Sequence, residues 1–273
     1  KRTTGIALVQ VLLITGIISV LLMSLVKLSQ QQLNQARAVE TAIESDLALL
    51  SKANQVKFQL LSNTWTDDPN GWNFYGEPVQ WQGITLELQA LNGLVPLSYD
   101  LGSVTQLLVA AGRSTAQAEK LTQQLAEWQG LYSYASDGTQ QAQRLPIQHI
   151  NELVFIGDWT QSDVNAVRSF VHAYPVPGFN PTYAPSDALD AFTSKTQAQA
   201  IRRLRLQQRY TANEFQRITG TEFGEFTSIY PGPLVRIELT NESMQRLMVD
   251  VELKPYDNDP IVFYQMNRAS TPN

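Results

Sequence analysis

The chain of 273 residues has no cysteine, which excludes a disulfide-stapled scaffold and any thiolate nucleophile or thiolate metal site. Histidine is scarce, with two copies, and neither stands in an H-E-x-x-H pattern. No G-x-S-x-G elbow occurs either, so no catalytic constellation of a familiar kind supports an enzyme. Charged residues make up 16%, well under the usual value of about 25%, and the net charge is −5. An acidic balance of this kind does not favour a polyanion as the general partner. What the chain does have is 43% apolar residues, close to the globular average of about 45–50%, which argues against disorder. Its length allows one or two globular units. The apolar residues are unevenly spread and crowd at one end.

No charge occurs from Thr3 to Val26, and Ile6 to Val26 is nearly all Ile, Leu, Val, Ala and Met. As a helix rising about 1.5 Å per residue, this run spans about 31 Å, enough to cross a bilayer core. Lys1 and Arg2 precede it, so the positive-inside rule places the N-terminus in the cytoplasm and the remainder outside. A cleaved secretory signal is the alternative, but its apolar region is usually about 7–15 residues long. The small-x-small triplet Ala36-Arg37-Ala38 lies too far beyond the run to serve such a signal.

Neither Pro nor Gly occurs between Ile17 and Pro69. Leu25, Leu28, Leu33, Ala36, Val39, Ile43, Leu47 and Leu50 recur at helical steps with polar residues between them. The pattern predicts one helix from Ile6 to Leu61, roughly 84 Å long at 1.5 Å per residue. Its first half suits lipid, and its second half needs a partner along one face.

Beyond it, Ile84–Gln89 alternates like a half-buried strand. Asn92-Gly93 is a hairpin signal that predicts Leu94–Leu97 as the returning strand, with Pro96 confining it to an edge. The period then becomes helical. Two helices are expected around Val104–Ala111 and Ala118–Trp128, the second capped by Ser114 or Thr115. Further helices are expected at Ile147–Gly157, Gln161–Tyr174, Ser186–Phe192, Lys195–Gln208 and Ala212–Thr219. Strand periodicity returns at Val235–Leu239, Met248–Leu253 and Ile261–Met266, read as an antiparallel meander. Strands parted by a helical block imply an α+β fold with an inserted helical domain.

The leader-like Thr4-Gly5-Ile6-Ala7-Leu8-Val9-Gln10 resembles the signal of type IV pilins and type II secretion pseudopilins. The order of elements resembles, more narrowly, the K-type minor pseudopilin (general secretion pathway protein K family). The stretches that carry this are Leu88–Leu97, Gln117–Trp128, Pro146–Leu153 and, most specifically, Phe179-Asn180-Pro181-Thr182-Tyr183-Ala184-Pro185-Ser186-Asp187-Ala188-Leu189. The resemblance implies a long N-terminal helix packed on an antiparallel sheet, with an all-helical domain inserted between strands. It divides the chain into a leader 1–5, a transmembrane and amphipathic helix 6–61, a pilin-like part 62–100 with 221–273, and an insertion 101–220. It implies cleavage between Gly5 and Ile6 by a prepilin peptidase, with N-methylation of Ile6. Most such subunits carry Glu at the fifth position after the cut, to meet a neighbour's amine within the lipid. Gln10 stands there instead, a departure that fits a tip subunit with no neighbour ahead.

By the same resemblance the chain is not an enzyme. It would sit in the bacterial inner membrane with its globular part in the periplasm. Its partners would be the I-, J- and H-type minor pseudopilins, the major pseudopilin and the prepilin peptidase, with no nucleic acid. A tip pilin of a type IV adhesion or DNA-uptake pilus is the alternative. Arg202, Arg203, Arg205, Arg209 and Arg217 would then contact phosphate, although a solvated face explains them equally. Asp67, Asp68 and Asn70 in one loop, and Asp257, Asn258 and Asp259 in another, supply clustered hard oxygens that could hold Ca²⁺. Neither loop has EF-hand spacing, and Asx residues are ordinary turn formers. His149 starts an expected helix and His172 ends another, which assigns both structural roles.

Overall fold

A computed structural model describes residues 4–62, 71–130, 146–174, 178–207, 211–219 and 230–270. The first element is one uninterrupted helix, α1 (Thr4–Ser62), as the lack of Pro and the helical periodicity require. The chain forms two compact units, Lys1–Lys52 and Ala53–Asn273, and the boundary falls within α1.

In the second unit the strands are β1 (Val79–Trp81), β2 (Ile84–Ala90), β3 (Val95–Pro96), β4 (Val171–His172), β5 (Leu234–Thr240), β6 (Gln245–Leu253) and β7 (Ile261–Ser270). Five of them make one antiparallel sheet in the order β1-β2-β5-β6-β7. The last three are the expected meander. Val56 is fully buried, with Ala53 and Leu60 nearly so, and the Lys57 ammonium lies 4.2 Å from the ring centre of Phe263 on β7. This end of α1 therefore covers the sheet on the side of Phe263.

Between β2 and β5 the chain is largely helical. The helices are α2 (Leu101–Ala110), α3 (Thr115–Trp128), α4 (Gln161–Val167), α5 (Ser186–Phe192), α6 (Lys195–Arg205) and α7 (Ala212–Thr219). A core of Leu108, Leu125, Ile147, Leu153, Val164 and Val171 holds the first three together. A smaller core of Leu189, Ile201, Leu204 and Phe215 joins α5 to α7.

Local capping sets the helix starts. Ser114 begins α3 with a reciprocal box: its Oγ accepts the Gln117 backbone amide (3.4 Å), and Gln117 Oε1 accepts the Ser114 backbone amide (3.3 Å). Ser114→Ala is expected to cost about 1 kcal/mol, a drop of about 2–4 °C in thermal midpoint. An unchanged midpoint would show that this cap adds nothing.

Three expectations need correction. Asn92-Gly93 does not turn a hairpin: Leu91–Gly93 is a 3-10 turn, and β2 pairs with the distant β5. Leu94–Leu97 contributes only β3, which pairs in parallel with β4 in a separate two-stranded sheet. There Gly93 is pressed against the Tyr183 carbonyl, where a Cβ would stand 2.2 Å from the oxygen. The chain is thereby steered into the helical segment and away from a return strand. Ile147–Gly157 is not an α-helix but a 3-10 segment over Ile150–Phe155. The expected Gln161–Tyr174 helix stops at Val167, and after a 3-10 turn the chain enters β4. Consecutive β-branched and aromatic residues from Phe170 favour extended backbone over helix. Strand β1 was not anticipated, being only three residues long.

Candidate functional site

The start of α1, up to Val26, presents a largely apolar surface. Val11, Leu12, Leu21, Leu22 and Met23 are each more than half exposed, and the helix is long and apolar enough to cross a membrane. The hydroxyls of Thr15, Ser19 and Ser24 in the run are satisfied within the helix. Thr15 donates to the Val11 carbonyl, Ser19 to Thr15 (2.8 Å) and Ser24 to Val20 (2.9 Å). Each bond uses the helix's own backbone, so these three hydroxyls seek no partner in an apolar surround. Gln10 is exposed near the start of this surface and carries no charge. Gly5 and Ile6 lie in the first turns of α1, while Lys1 and Arg2 fall outside the described residues. Further along, Leu33, Val39, Ile43 and Leu47 are each more than half exposed, so the amphipathic stripe remains an uncovered face.

A second feature lies inside the other unit. Arg236 on β5 and Asp250 on β6 are cross-strand partners, and their side chains form a two-pronged ion pair of 2.8 and 3.0 Å. Asp250 is fully buried. Tyr174, which follows β4, donates its hydroxyl hydrogen bond to Asp250 (2.7 Å) and lies 3.0 Å from Gln265 Oε1 on β7. Gln265 Nε2 is in turn 3.3 Å from His149 Nε2. Arg236 and Tyr174 thus reach one buried carboxylate from two other stretches of chain, and Gln265 and His149 extend the network, tying the helical segment to the sheet.

Electrostatics keep this arrangement in one protonation state. Burial opposes the Arg236 charge, but the hydrogen bonds and charge of Asp250 outweigh it and raise the pKa. Burial, and then the Asp250 charge, push the Tyr174 phenol up, so it stays a donor. His172 stacks on Tyr174 with ring centres 6.0 Å apart, and neither of its nitrogens makes a hydrogen bond of normal geometry among the described residues. Burial, with the nearby Arg236 charge, lowers its pKa to about 4 and keeps it neutral.

The other sequence-predicted residues separate. His149 does start a helical turn, its Nδ1 accepting the Asn151 amide (3.1 Å). His172 does not end a helix but sits in β4. Among the described residues the arginines point to different partners. Arg202 pairs with Asp190 (3.0 Å), and Arg205 donates to the carbonyls of Thr182 (2.8 Å) and Ala184 (2.6 Å) while lying over the Tyr75 ring. Arg203 and Arg217 are exposed, and Arg209 lies outside the described residues. Asp257, Asn258 and Asp259 occupy the exposed turn between β6 and β7, where Asp257 Oδ1 accepts the Asn258 amide (2.7 Å). Asp67, Asp68 and Asn70 lie outside the described residues. Among the described residues no three His, Asp or Glu side chains gather as a metal-holding group. The buried Arg236–Asp250–Tyr174 cluster was missed from sequence. Its one visible trace is a pair of opposite charges, Arg236 flanked by Val235 and Ile237 and Asp250 flanked by Val249 and Val251.

No protein-family model matches the chain, and no curated protein matches it. Among solved structures it is similar to a chain in the crystal structure of the GspK-GspI-GspJ complex from the type 2 secretion system of enterotoxigenic Escherichia coli. The identity is 15%, the match covers 89% of this chain and 99% of that one, and the TM-score is 0.46.

Proposed function

We propose that this chain is a tip-type minor pseudopilin: an assembly protein that starts and caps a short periplasmic filament for protein export. The observation that carries the reading is the exposed start of α1, uncharged up to Val26 and with neutral Gln10 near its beginning, in a helix that runs on unbroken to Ser62. Such a surface needs lipid before assembly and neighbouring helices afterwards. A carboxylate at position 10 would require a neighbour's amine to offset its burial, and a subunit at the tip has no such neighbour. The helical segment between β2 and β5 is the part that caps the filament.

On this reading a prepilin peptidase cuts between Gly5 and Ile6, the new amine is methylated, and other minor pseudopilins are the partners. The test is co-expression of the chain with a prepilin peptidase, followed by mass spectrometry of its N-terminus. The parent is expected to begin at methylated Ile6 and to co-purify with the other minor pseudopilins of its system. Gly5→Leu is expected to remain almost wholly uncut. Normal processing of that variant, or a parent left uncut, would overturn the proposal.

A further inference from the structure

His149 and Gln265 join the helical segment to the sheet, and counting hydrogens along their contacts fixes how. Tyr174 has one hydroxyl hydrogen, which goes to the Asp250 carboxylate at 2.7 Å. Toward the Gln265 side chain, 3.0 Å away, its oxygen can then only accept. At the other end, His149 Nδ1 accepts the Asn151 backbone amide at 3.1 Å and so bears no hydrogen. The ring's one hydrogen is therefore on Nε2, which can only donate to Gln265, 3.3 Å away. With Gln265 Oε1 at Tyr174 and Nε2 at His149, both contacts are mismatched: two oxygens meet with no hydrogen between them, and N–H meets N–H. Turned over, the amide matches both neighbours. Two independent counts, one from each end, thus give the same orientation.

Every bond in the chain then points one way. His149 donates to Gln265, Gln265 to Tyr174, and Tyr174 to Asp250, which Arg236 meets from β5. His149 is also the cap of the 3-10 turn Ile150–Phe155. Its two nitrogens therefore hold two parts of the molecule: Nε2 holds the sheet through Gln265 of β7, and Nδ1 holds the turn. A second proton on the ring has only Nδ1 to go to. There it sets an N–H against the Asn151 N–H, which cancels the cap and leaves the Nε2 bond intact. The charged groups around the ring are matched elsewhere. On its own stretch the Glu152 carboxylate faces the Gln148 amide (3.4 Å), and Arg168 is bound to Asn151 Oδ1 (2.5 Å). Asp163 of α4 pairs with Arg113, and on β6 Asp250 pairs with Arg236 and Glu252 with Lys254. His172 and Tyr264 lie against the Tyr174 ring.

We propose that His149 is an acid-operated clasp: with one ring hydrogen it holds the Ile150–Phe155 turn to the sheet, and with two it lets the turn go while the ring stays on β7. Histidine is the side chain that ordinarily changes charge between pH 5 and 8. The sign follows from the cap: acid loosens the turn, and return to neutral pH fastens it again. The loosened turn sits between α3 and α4, so the device acts on the helical segment and leaves the pairing of the strands as it was. This inference does not rest on the pseudopilin reading.

The test uses the intact chain in detergent micelles, compared at the two ends of that range, pH 8 and pH 5. Hydrogen–deuterium exchange, corrected at each pH for the intrinsic rate of free peptide, reads the turn. Protection across residues 150–156 is expected to fall about fivefold from the higher pH to the lower, the size of one lost cap. His149→Asn keeps a capping acceptor and does not titrate, so its protection should be the same at both. Nitrogen-15 placed in histidine alone labels two rings, told apart with His172→Phe. At the higher pH the His149 ring should carry its hydrogen on Nε2, a readout independent of how well the Asn variant folds. Three results would overturn the proposal. One is a hydrogen on Nδ1 at the higher pH, and another is unchanged protection of the turn between the two conditions. The third is a fall of equal size in His149→Asn, which would place the acid-sensitive group elsewhere.

Discussion

Asp250→Ala is expected to lower the stability of the sheet-bearing unit by about 3–5 kcal/mol, a fall of order 10 °C in thermal midpoint. The loss comes less from the ion pair itself than from what is left behind. Arg236, with its side chain 14% exposed, would keep its charge in a place water cannot reach. Tyr174 would lose the better of its two partners. Removing the charge as well should restore most of the loss: Asp250→Ala with Arg236→Met leaves no uncompensated ion, and pairs replaced wholly by apolar groups are often neutral. The double variant is therefore expected to melt above the single one. Equal midpoints for parent and single variant would show that the buried pair does not hold this unit together.

Acidification is expected to act through His172. In the unfolded chain its pKa is near 6.5, and in the folded protein burial and the Arg236 charge lower it to about 4. Between these values the unfolded chain takes up a proton that the folded protein refuses. Stability therefore falls as the pH drops from 6.5 toward 4, and this contribution levels off below that. A shift of this size corresponds to about 3 kcal/mol. Other groups titrate in the same window, so the measurement is a difference. His172→Phe keeps the stack on Tyr174 and removes the titration. The parent should lose about 3 kcal/mol more than the variant between pH 7 and pH 4. Parallel losses in the two proteins would sink this account of His172.

How legible these features were depends on the distance over which each is decided. α5 (Ser186–Phe192) and α7 (Ala212–Thr219) are read from sequence to the residue, and α3 starts at the Ser114 cap, because caps and helical spacing lie within a turn or two. The meander β5-β6-β7 is legible for a similar reason, its strands being neighbours in the chain. Asn92-Gly93 misleads because a local hairpin signal competes with a partner far away. The β2–β5 pairing and the close approach of Gly93 to Tyr183 win. His172 misleads because helical spacing of apolar residues continues past Val167, where the backbone is already turning extended. The apolar helix and Gln10 stand out in the sequence by the absence of charge. The buried carboxylate at Asp250 does not: its partners Arg236 and Tyr174 come from two other stretches of chain, and no local pattern announces them.

The pairing of β2 with β5 also constrains the order in which the molecule can be built. Ala90 meets Val235 only after the whole helical segment has been synthesised, so a growing chain carries β2 for a long time with one side unmatched. Closing so long a loop as a loose coil is entropically slow, and contacts of such sequence separation delay folding. The helical cores within the loop shorten it: Leu91, Leu94 and Leu234 gather in one small cluster, so the segment leaves and re-enters the sheet at one place. Helices that fold first deliver the two strand ends to each other already aligned. The helical segment thus acts as an internal scaffold for its host sheet. An interrupted synthesis would release a chain whose exposed β2 is ready to pair with the wrong partner.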